Sequence, residues 1–310
     1  MKWILRIGVA LLALLAGLFW WFMLSGSDAT STAPKLFPIE DWRAELAGDD
    51  VALRPIELRL IEVGSDVAPG FAAQAGMFGR DWKTTYGGFQ IVTPTGSIFV
   101  DGGIDAETAE LMTQSAEESV FNLNEYEAML NAFESAEHIV LTHEHLDHVM
   151  AIARHPNPGA IAGSLRLNSP QKAALGQFSK AGSLPPELDA VAPALREGMQ
   201  QLAPGVLIAS SAGHTAGSQV IFVTLQNGGE FLLIGDIVWA MSNIADLKTR
   251  PRLTQVIVFD PNENRGAIRE QVRALHELVA AEPLLTILPA HDRDYLMGLV
   301  NSGSIGLGLQ

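Results

Sequence analysis

The residues best suited to chemistry fall in one short run, Thr142-His143-Glu144-His145-Leu146-Asp147-His148. The chain has eight histidines, and three of them lie within six residues here. A solvated polar loop is the plain alternative, but it does not explain that density. His143 and His145 are two residues apart, so in extended backbone their side chains point the same way. Asp147 and His148 begin a helix-like stretch, where side chains diverge and reach a second point. Neutral imidazoles and carboxylates are donors that zinc, iron or manganese accept where thiolates are absent. Thiolates are absent throughout, since the chain has no cysteine. That also removes disulfides, cysteine nucleophiles and lipid attachment at an N-terminal cysteine.

Three more donors follow at predicted strand ends. His214 lies in Ala212-Gly213-His214-Thr215-Ala216-Gly217-Ser218, Asp236 closes Phe231–Gly235, and His291 follows Leu288-Pro289-Ala290. A backbone leaving a strand or turning at glycine can present a ligand at a sheet edge. Each alone reads as structural. With the first segment they make seven donors, His143, His145, Asp147, His148, His214, Asp236 and His291, enough for two metal ions. His138, His155 and His276 stand apart and read as structural or surface residues. No serine-nucleophile elbow accompanies the set, because Ser210-Ser211 precede His214 without that pattern.

The elements that must position these residues read as two batches of strands with helices between and after them. Predicted strands are Ile56–Val63, Phe89–Thr93 and Ser97–Asp101 (a hairpin through Pro94-Thr95-Gly96), and His138–Thr142. A second batch comprises Val206–Ala209, Gln219–Gln226, Glu230–Ile234, Val256–Asp260 and Leu284–Pro289. Predicted helices are Ala106–Glu118, Glu125–Ser135, Ser169–Ala181, Glu187–Gln201 and Asn264–Ala280. The last carries Ile268, Val272, Leu275 and Val279 on one face. Such an order fits two sheets covered by outer helices.

The chain has 310 residues, of which 48% are hydrophobic and 18% charged, so a large core is available and global disorder is excluded. Net charge is −15. Only Lys2 and Arg6 are charged before residue 25, so residues 25–310 hold 18 basic and 35 acidic side chains, −17. That charge repels phosphate backbones, and nucleic acid is not expected as a partner.

Ile7 to Leu24 is an unbroken apolar and glycine run behind Lys2 and Arg6. At about 1.5 Å per residue its 18 residues reach roughly 27 Å, close to a bilayer core of about 30 Å. It is longer than the apolar part of most cleaved signals, and Trp20 and Trp21 suit a membrane interface. Residues 1–24 are read as a signal anchor, with a cleaved signal peptide as the alternative. The positive flank stays cytoplasmic, so the body lies on the other side, anchored in the inner membrane and facing the periplasm in a Gram-negative cell. Residues 25–38 read as a tether, and 39–310 as one domain expected to fold and bind two metals by itself.

The order of these motifs resembles the metallo-β-lactamase-fold hydrolase superfamily over about residues 56–295. The match begins at Asp101 in Val100-Asp101-Gly102-Gly103. It continues through His143-x-His145-x-Asp147-His148 to His214, Asp236 and His291. The resemblance implies an α/β fold, the αββα sandwich, with metals at one edge of the two sheets. It implies that His143, His145 and His214 hold one metal and Asp147, His148 and His291 the other, with Asp236 bridging them. Asp101 would orient ligands rather than bind. The implied cofactors are two Zn2+, other divalent metals being alternatives. The implied activity is hydrolysis of a small-molecule ester, lactone or thioester by a hydroxide shared between the metals, with Asp147 as the catalytic proton carrier.

Within that superfamily, diiron oxygen-reducing relatives place Glu where this chain has His145, which favours hydrolysis here. β-Lactamase branches generally use Cys or Ser at the position of Asp236. Many acyl-homoserine lactonases place Tyr three residues after the bridging Asp, where this chain has Trp239. Tryptophan offers an N–H and an apolar wall but no phenolic proton; its plain alternative is a core aromatic. Phe71–Tyr86 could form an apolar lip over the site, against ordinary loop packing. Arg250-Pro251-Arg252 could meet an anionic substrate, against a solvated loop. The alternative functions are β-lactam hydrolysis, a redox metalloenzyme on the same fold, and a tethered metal-binding module. Metal identity and turnover separate them.

Overall fold

The computed structural model describes residues 2–25, 36–113, 115, 117–178, 184–257 and 263–310. Its first helix, Lys2–Phe19, continues as a wider turn over Trp20–Leu24; this helix is long and apolar enough to cross a membrane.

Among the described residues, twelve strands form two sheets. The first contains β1 (Glu57–Pro69), β2 (Asp81–Val92), β3 (Ser97–Val100), β4 (Val120–Phe121), β5 (His138–Val140), β6 (Leu165–Arg166) and β12 (Gly306–Leu307). Its order is β12-β1-β2-β3-β5-β6, with β4 pairing β1. The second contains β7 (Met199–Ala203), β8 (Val206–Ser210), β9 (Gln219–Thr224), β10 (Glu230–Gly235) and β11 (Leu285–Pro289), in the order β11-β10-β9-β8-β7.

Three apolar layers hold these sheets together. Between the sheets, Leu58, Leu60, Phe89 and Ile91 meet Val206, Ile208, Ile221 and Val223. Behind the first sheet, Phe99 and Ile139 pack on Met129 and Phe133 of helix Leu123–Phe133 and on Val149 and Ile152 of helix Leu146–Ala153. Behind the second, Phe222, Leu232 and Ile287 pack on Ile268, Val272 and Leu275 of helix Arg265–Ala281, with Trp42 and Phe37 alongside. Strands covered on both faces bury nearly every residue, as β9 does. The architecture is the αββα sandwich.

Several predicted elements differ. Glu187–Gln201 is not one helix. Pro186–Asp189 forms a single turn, and Met199–Ala203 is the edge strand β7, paired with β8. Pro193 interrupts the would-be helix, and the amides of Ala194 and Leu195 bond to Leu167 O instead. Gly198 then takes φ +88°, which admits the hairpin. Val256–Asp260 begins as the end of helix Arg252–Ile257 rather than as a strand; residues 258–260 lie outside the described residues, as do 179–181 of Ser169–Ala181 and 26–35 of the segment expected to be a tether. The helix at Ala106 stops at Met112. The last six of the sixteen residues Phe71–Tyr86, offered above as a lip or ordinary loop, are strand: β2 starts at Asp81 and pairs with β1 back to Pro69.

Candidate metal centre

Five loops leave the sheets on one edge, because the strands that feed them run the same way within each sheet. β3 and β5 are parallel, as are β10 and β11, and β8 is parallel to β10 through the antiparallel β9. Asp101, His143, His214, Asp236 and His291 each follow the carboxyl end of one of these strands. Gly235 makes the exit from β10 possible. Its φ is +53°, and a Cβ there would lie 2.7 Å from Thr142 Cβ. Helix Leu146–Ala153 starts at the same edge and carries Asp147 in its first turn, where its dipole favours a carboxylate.

The seven donors meet in two groups. His143, His145 and His214 form one; Asp147, His148, Asp236 and His291 form the other. In the first, His145 Nδ1 is 3.1 Å from His143 Nε2 and 2.9 Å from His214 Nε2. In the second, His148 Nε2 is 3.3 Å from His291 Nε2, and Asp147 Oδ2 is 3.3 Å from His291 Nε2. Asp236 stands between them. Its Oδ2 lies 3.5 Å from His214 Nε2 and 3.8 Å from His143 Nε2, and its Oδ1 lies 3.1 Å from His291 Nε2 and 3.5 Å from His148 Nε2.

The outer nitrogens of four rings are held by acceptors. His148 Nδ1 faces Asp101 Oδ2 at 2.9 Å, and His214 Nδ1 faces Glu263 Oε2 at 3.0 Å. His291 Nδ1 donates to Thr85 O at 2.8 Å. His143 Nδ1 lies 3.2 Å from Thr142 Oγ1, which itself donates to Asp101 Oδ2 at 2.8 Å. With the outer N–H so engaged, the inner lone pair of a neutral ring points into the cluster. Lone pairs turned on one another at about 3 Å repel unless a proton or a cation lies between them. Asp236 Oδ1 is buried with no hydrogen-bond partner although two imidazole nitrogens lie nearby. This donor set fits divalent metal: imidazoles and carboxylates, oriented from outside and left unsatisfied inside.

The electrostatics divide along the same line. Burial lowers His143 well below the usual imidazole range, reinforced by the neighbouring His148. Burial, with Arg250 and His145, brings His214 to about 4. In the second group burial acts the same way but loses to the carboxylates: Asp101 and Asp147 hold His148 well above its usual range, and Asp236 and Asp147 carry His291 to about 10. Burial would raise Asp147, yet His148 and His291 bring it to about 2. The second group therefore holds protons more tightly than the first, and a metal there would have to displace them.

Asp101 takes φ +65°, uncommon for a residue with a Cβ. Its carboxylate accepts from Thr142 N at 2.7 Å and Thr142 Oγ1 at 2.8 Å besides facing His148. Those bonds hold the unusual backbone where it aims one carboxylate at the histidine strand.

Trp239 and Arg250 depart from their plain readings. Trp239 is not a core aromatic: its Nε1 donates to Asp236 Oδ2 at 2.6 Å and its ring stacks on Trp82 at 5.7 Å. Arg250 is buried rather than solvated. Its guanidinium lies 4.6 Å over the Trp239 ring and donates to Asp236 O at 3.0 Å and to Glu263 Oε2. Glu263, held near a pKa of about 2 by Arg250 and His214 against its burial, accepts from both. A carboxylate is the stronger acceptor, which decides the 2.8 Å approach of Arg250 Nη2 to His214 Nδ1 as a contact of two donors sharing it. Sequence reading missed Glu263, which no motif marks; a buried acid 49 residues from its histidine leaves no local signal. It also passed over Glu144, whose Oε2 accepts from Thr215 Oγ1 at 2.8 Å and so pins the loop bearing His214. His155 and His276 lie outside the centre, bonded to Leu130 O and Ile244 O. A narrow cleft over the first group is lined by His145, His214, Trp239, Arg250, Thr254 and Gln255.

Comparison with known proteins follows the same lines. The family profile described as metallo-beta-lactamase superfamily matches residues 91–291. None of the curated proteins matches the chain. Among solved structures, a quorum-quenching N-acyl homoserine lactone lactonase superposes with TM-score 0.56 at 17% identity, covering 78% of this chain and 94% of that one. An N-acyl homoserine lactone hydrolase with N-hexanoyl-L-homoserine at its catalytic metal center gives TM-score 0.57 at 18% identity, over 79% and 97%. A probable metal-dependent hydrolase from Staphylococcus aureus gives 0.54 at 17%, over 77% and 90%. At these identities the likeness is one of fold.

Proposed function

The chain belongs to the metallo-β-lactamase superfamily, and from that premise we propose that it is a dinuclear metal-dependent hydrolase of a small ester, lactone or thioester. The observation that carries the reading is Asp236, whose two oxygens face the two donor groups from one carboxylate. His143, His145 and His214 would hold one ion and Asp147, His148 and His291 the other, zinc being the expected metal. When bound, such ions lower the pKa of water and polarise a carbonyl oxygen.

The chain's own residues do the rest. Asp101, Glu263 and Thr85 O fix the rings of His148, His214 and His291 before substrate arrives. Asp147 retains 14% side-chain exposure, the right place for a group that accepts a proton from the attacking water and returns it to the leaving oxygen. Trp239 and Arg250 wall the cleft on the side of Asp236. The solved lactonases share the fold, which supports acyl transfer from a lactone or ester as the substrate class.

We place the body outside a bacterial inner membrane, held there by residues 7–24. The test is turnover by the zinc-loaded chain of an aliphatic lactone and a cephalosporin. Asp236 occupies the position that β-lactamase branches give to Cys or Ser. It adds a carboxylate that weakens the grip on an anionic leaving nitrogen. We therefore expect kcat/KM for the lactone to exceed that for the cephalosporin by at least about tenfold, roughly 1.4 kcal/mol. Equal values would make β-lactam hydrolysis the better reading.

A further inference from the structure

The N-terminal helix is seated on the body. Phe19 stacks on Phe78 at 5.8 Å, and Phe78 packs on Phe71 at 6.1 Å. The guanidinium of Arg252 lies 4.0 Å over the Trp21 ring, and its Nε donates to Ser25 Oγ at 3.1 Å. A Cβ on Gly76 would lie 3.5 Å from Leu24 Cδ2 and 3.8 Å from Lys248 Nζ, so both flank that glycine.

The segments that receive the helix also build the cleft. Loop 70–80 is tied to 243–254: Ala75 N donates to Thr249 O, Asn243 Nδ2 to Ala73 O and Thr254 Oγ1 to Ala72 O, each at 3.0 Å. Helix Arg252–Ile257 supplies Thr254 and Gln255 to the cleft lining. Arg252 touches the N-terminal helix and Gln255 lines the cleft, three residues on, about 4.5 Å of axial rise. The headgroup layer on each side of a bilayer core is roughly 5–8 Å thick. Trp20 and Trp21 are of the type that favours a membrane interface, and the residue that meets Trp21 is only three positions from the cleft lining.

The surface around it suits that position. Phe78 is 46% exposed and Val256 69%, so apolar side chains remain uncovered beside the helix end. Lys248 and Arg252 stand there too, on a chain whose net charge is −15. The helix end is thus met by cations that anionic headgroups attract.

We infer that the face formed by loop 70–80 and helix Arg252–Ile257 rests on the lipid surface, and that the substrate is an acyl-bearing amphiphile entering the cleft from the bilayer. The substrate part rests on the hydrolase reading; the seating does not.

The cysteine-free chain lets one nitroxide report without background. The full chain is reconstituted in phosphatidylcholine–phosphatidylglycerol vesicles with a label at Phe78→Cys, Val256→Cys or Leu284→Cys. Leu284 is 88% exposed and precedes β11, whereas His291 follows it, roughly 16 Å along the strand. We expect positions 78 and 256 to be at least about fivefold less accessible than 284 to a water-soluble nickel chelate. Equal accessibility overturns the seating, as does a membrane-purified chain whose N-terminal sequence lacks residues 2–24.

For the substrate, the double variant Phe78→Asp, Val256→Asp should lose about tenfold on a dodecanoyl ester in vesicles and stay within about twofold on the acetyl ester in water. Equal loss on both esters, or none on either, overturns the amphiphile. A wild-type chain that hydrolyses neither ester overturns the amphiphile, whereas the hydrolase reading falls only if the aliphatic lactone is not turned over either. The label measurement still decides the seating.

Discussion

The indole of Trp239 donates to Asp236 Oδ2 at 2.6 Å, the carboxylate oxygen that faces His214 and His143. The bond sets the roll of a side chain that must address two donor groups at once. Trp239→Phe keeps an aromatic ring against Trp82 and removes the donor. We expect kcat/KM to fall about tenfold, the low end of what an outer hydrogen-bond partner is worth at a metal site, with thermal stability little changed. Full activity in the phenylalanine variant would reduce Trp239 to a wall of the cleft.

Glu263 holds the outer nitrogen of His214 and the guanidinium of Arg250. Glu263→Gln leaves an acceptor but removes the charge. Metal affinity should fall by ~10–100-fold at the His143–His145–His214 group and hold at the other. Competition against a chromophoric chelator resolves two successive constants and shows which one moves. Glu263→Ala is the poorer choice, since it strands a buried guanidinium at a cost of about 3–5 kcal/mol.

Metal removal should lower stability as well as activity. A ligand at about a hundredfold over its Kd stabilises the folded state by about 2.7 kcal/mol. In a domain of this size each kcal/mol is worth about 2–4 °C in Tm. Scanning calorimetry with and without chelator should therefore separate by at least about 5 °C. Coincident transitions would mean the donors hold no metal under those conditions.

Asp236→Ala and His276→Ala make an informative pair. The first removes the carboxylate set between both groups, and we expect loss of one metal and of activity beyond the ~100-fold ceiling typical of outer partners. The second removes a ring that bonds Ile244 O at 2.8 Å, outside the centre. It should cost about 1 kcal/mol of stability and leave kcat within a few-fold. Reversed outcomes in the two kinetic assays would displace the centre from where we put it.

Much of the centre was legible from the chain because its donors sit where local rules apply. His143 to His148 are contiguous, and a strand end followed by a helix start decides which way they point. His214, Asp236 and His291 each follow an apolar run that burial makes a strand. The two-sheet architecture is legible for the same reason, since alternating and continuous apolar runs report the faces that must be covered. Element ends were less legible. Met199–Ala203 extends along β8 instead of coiling because the hairpin satisfies its backbone there, and no propensity within the segment reports that partner.

What only the tertiary structure decided are the long-range pairings of buried charge. Glu263 reaches His214 across 49 residues, Asp101 reaches His148 across 47, and Arg250 turns inward to share Glu263. The resemblance marks Asp101 as a residue that orients ligands without saying which, whereas Glu263 and Arg250 are in sequence ordinary charged residues in loops, whose expected place is in water. Burial becomes favourable only once folding supplies the opposite partner at hydrogen-bond distance, and that partner is set by which strands lie side by side. The motif residues therefore mark where imidazoles and carboxylates gather. The packing of the two sheets decides which groups orient them and what surface surrounds the cleft.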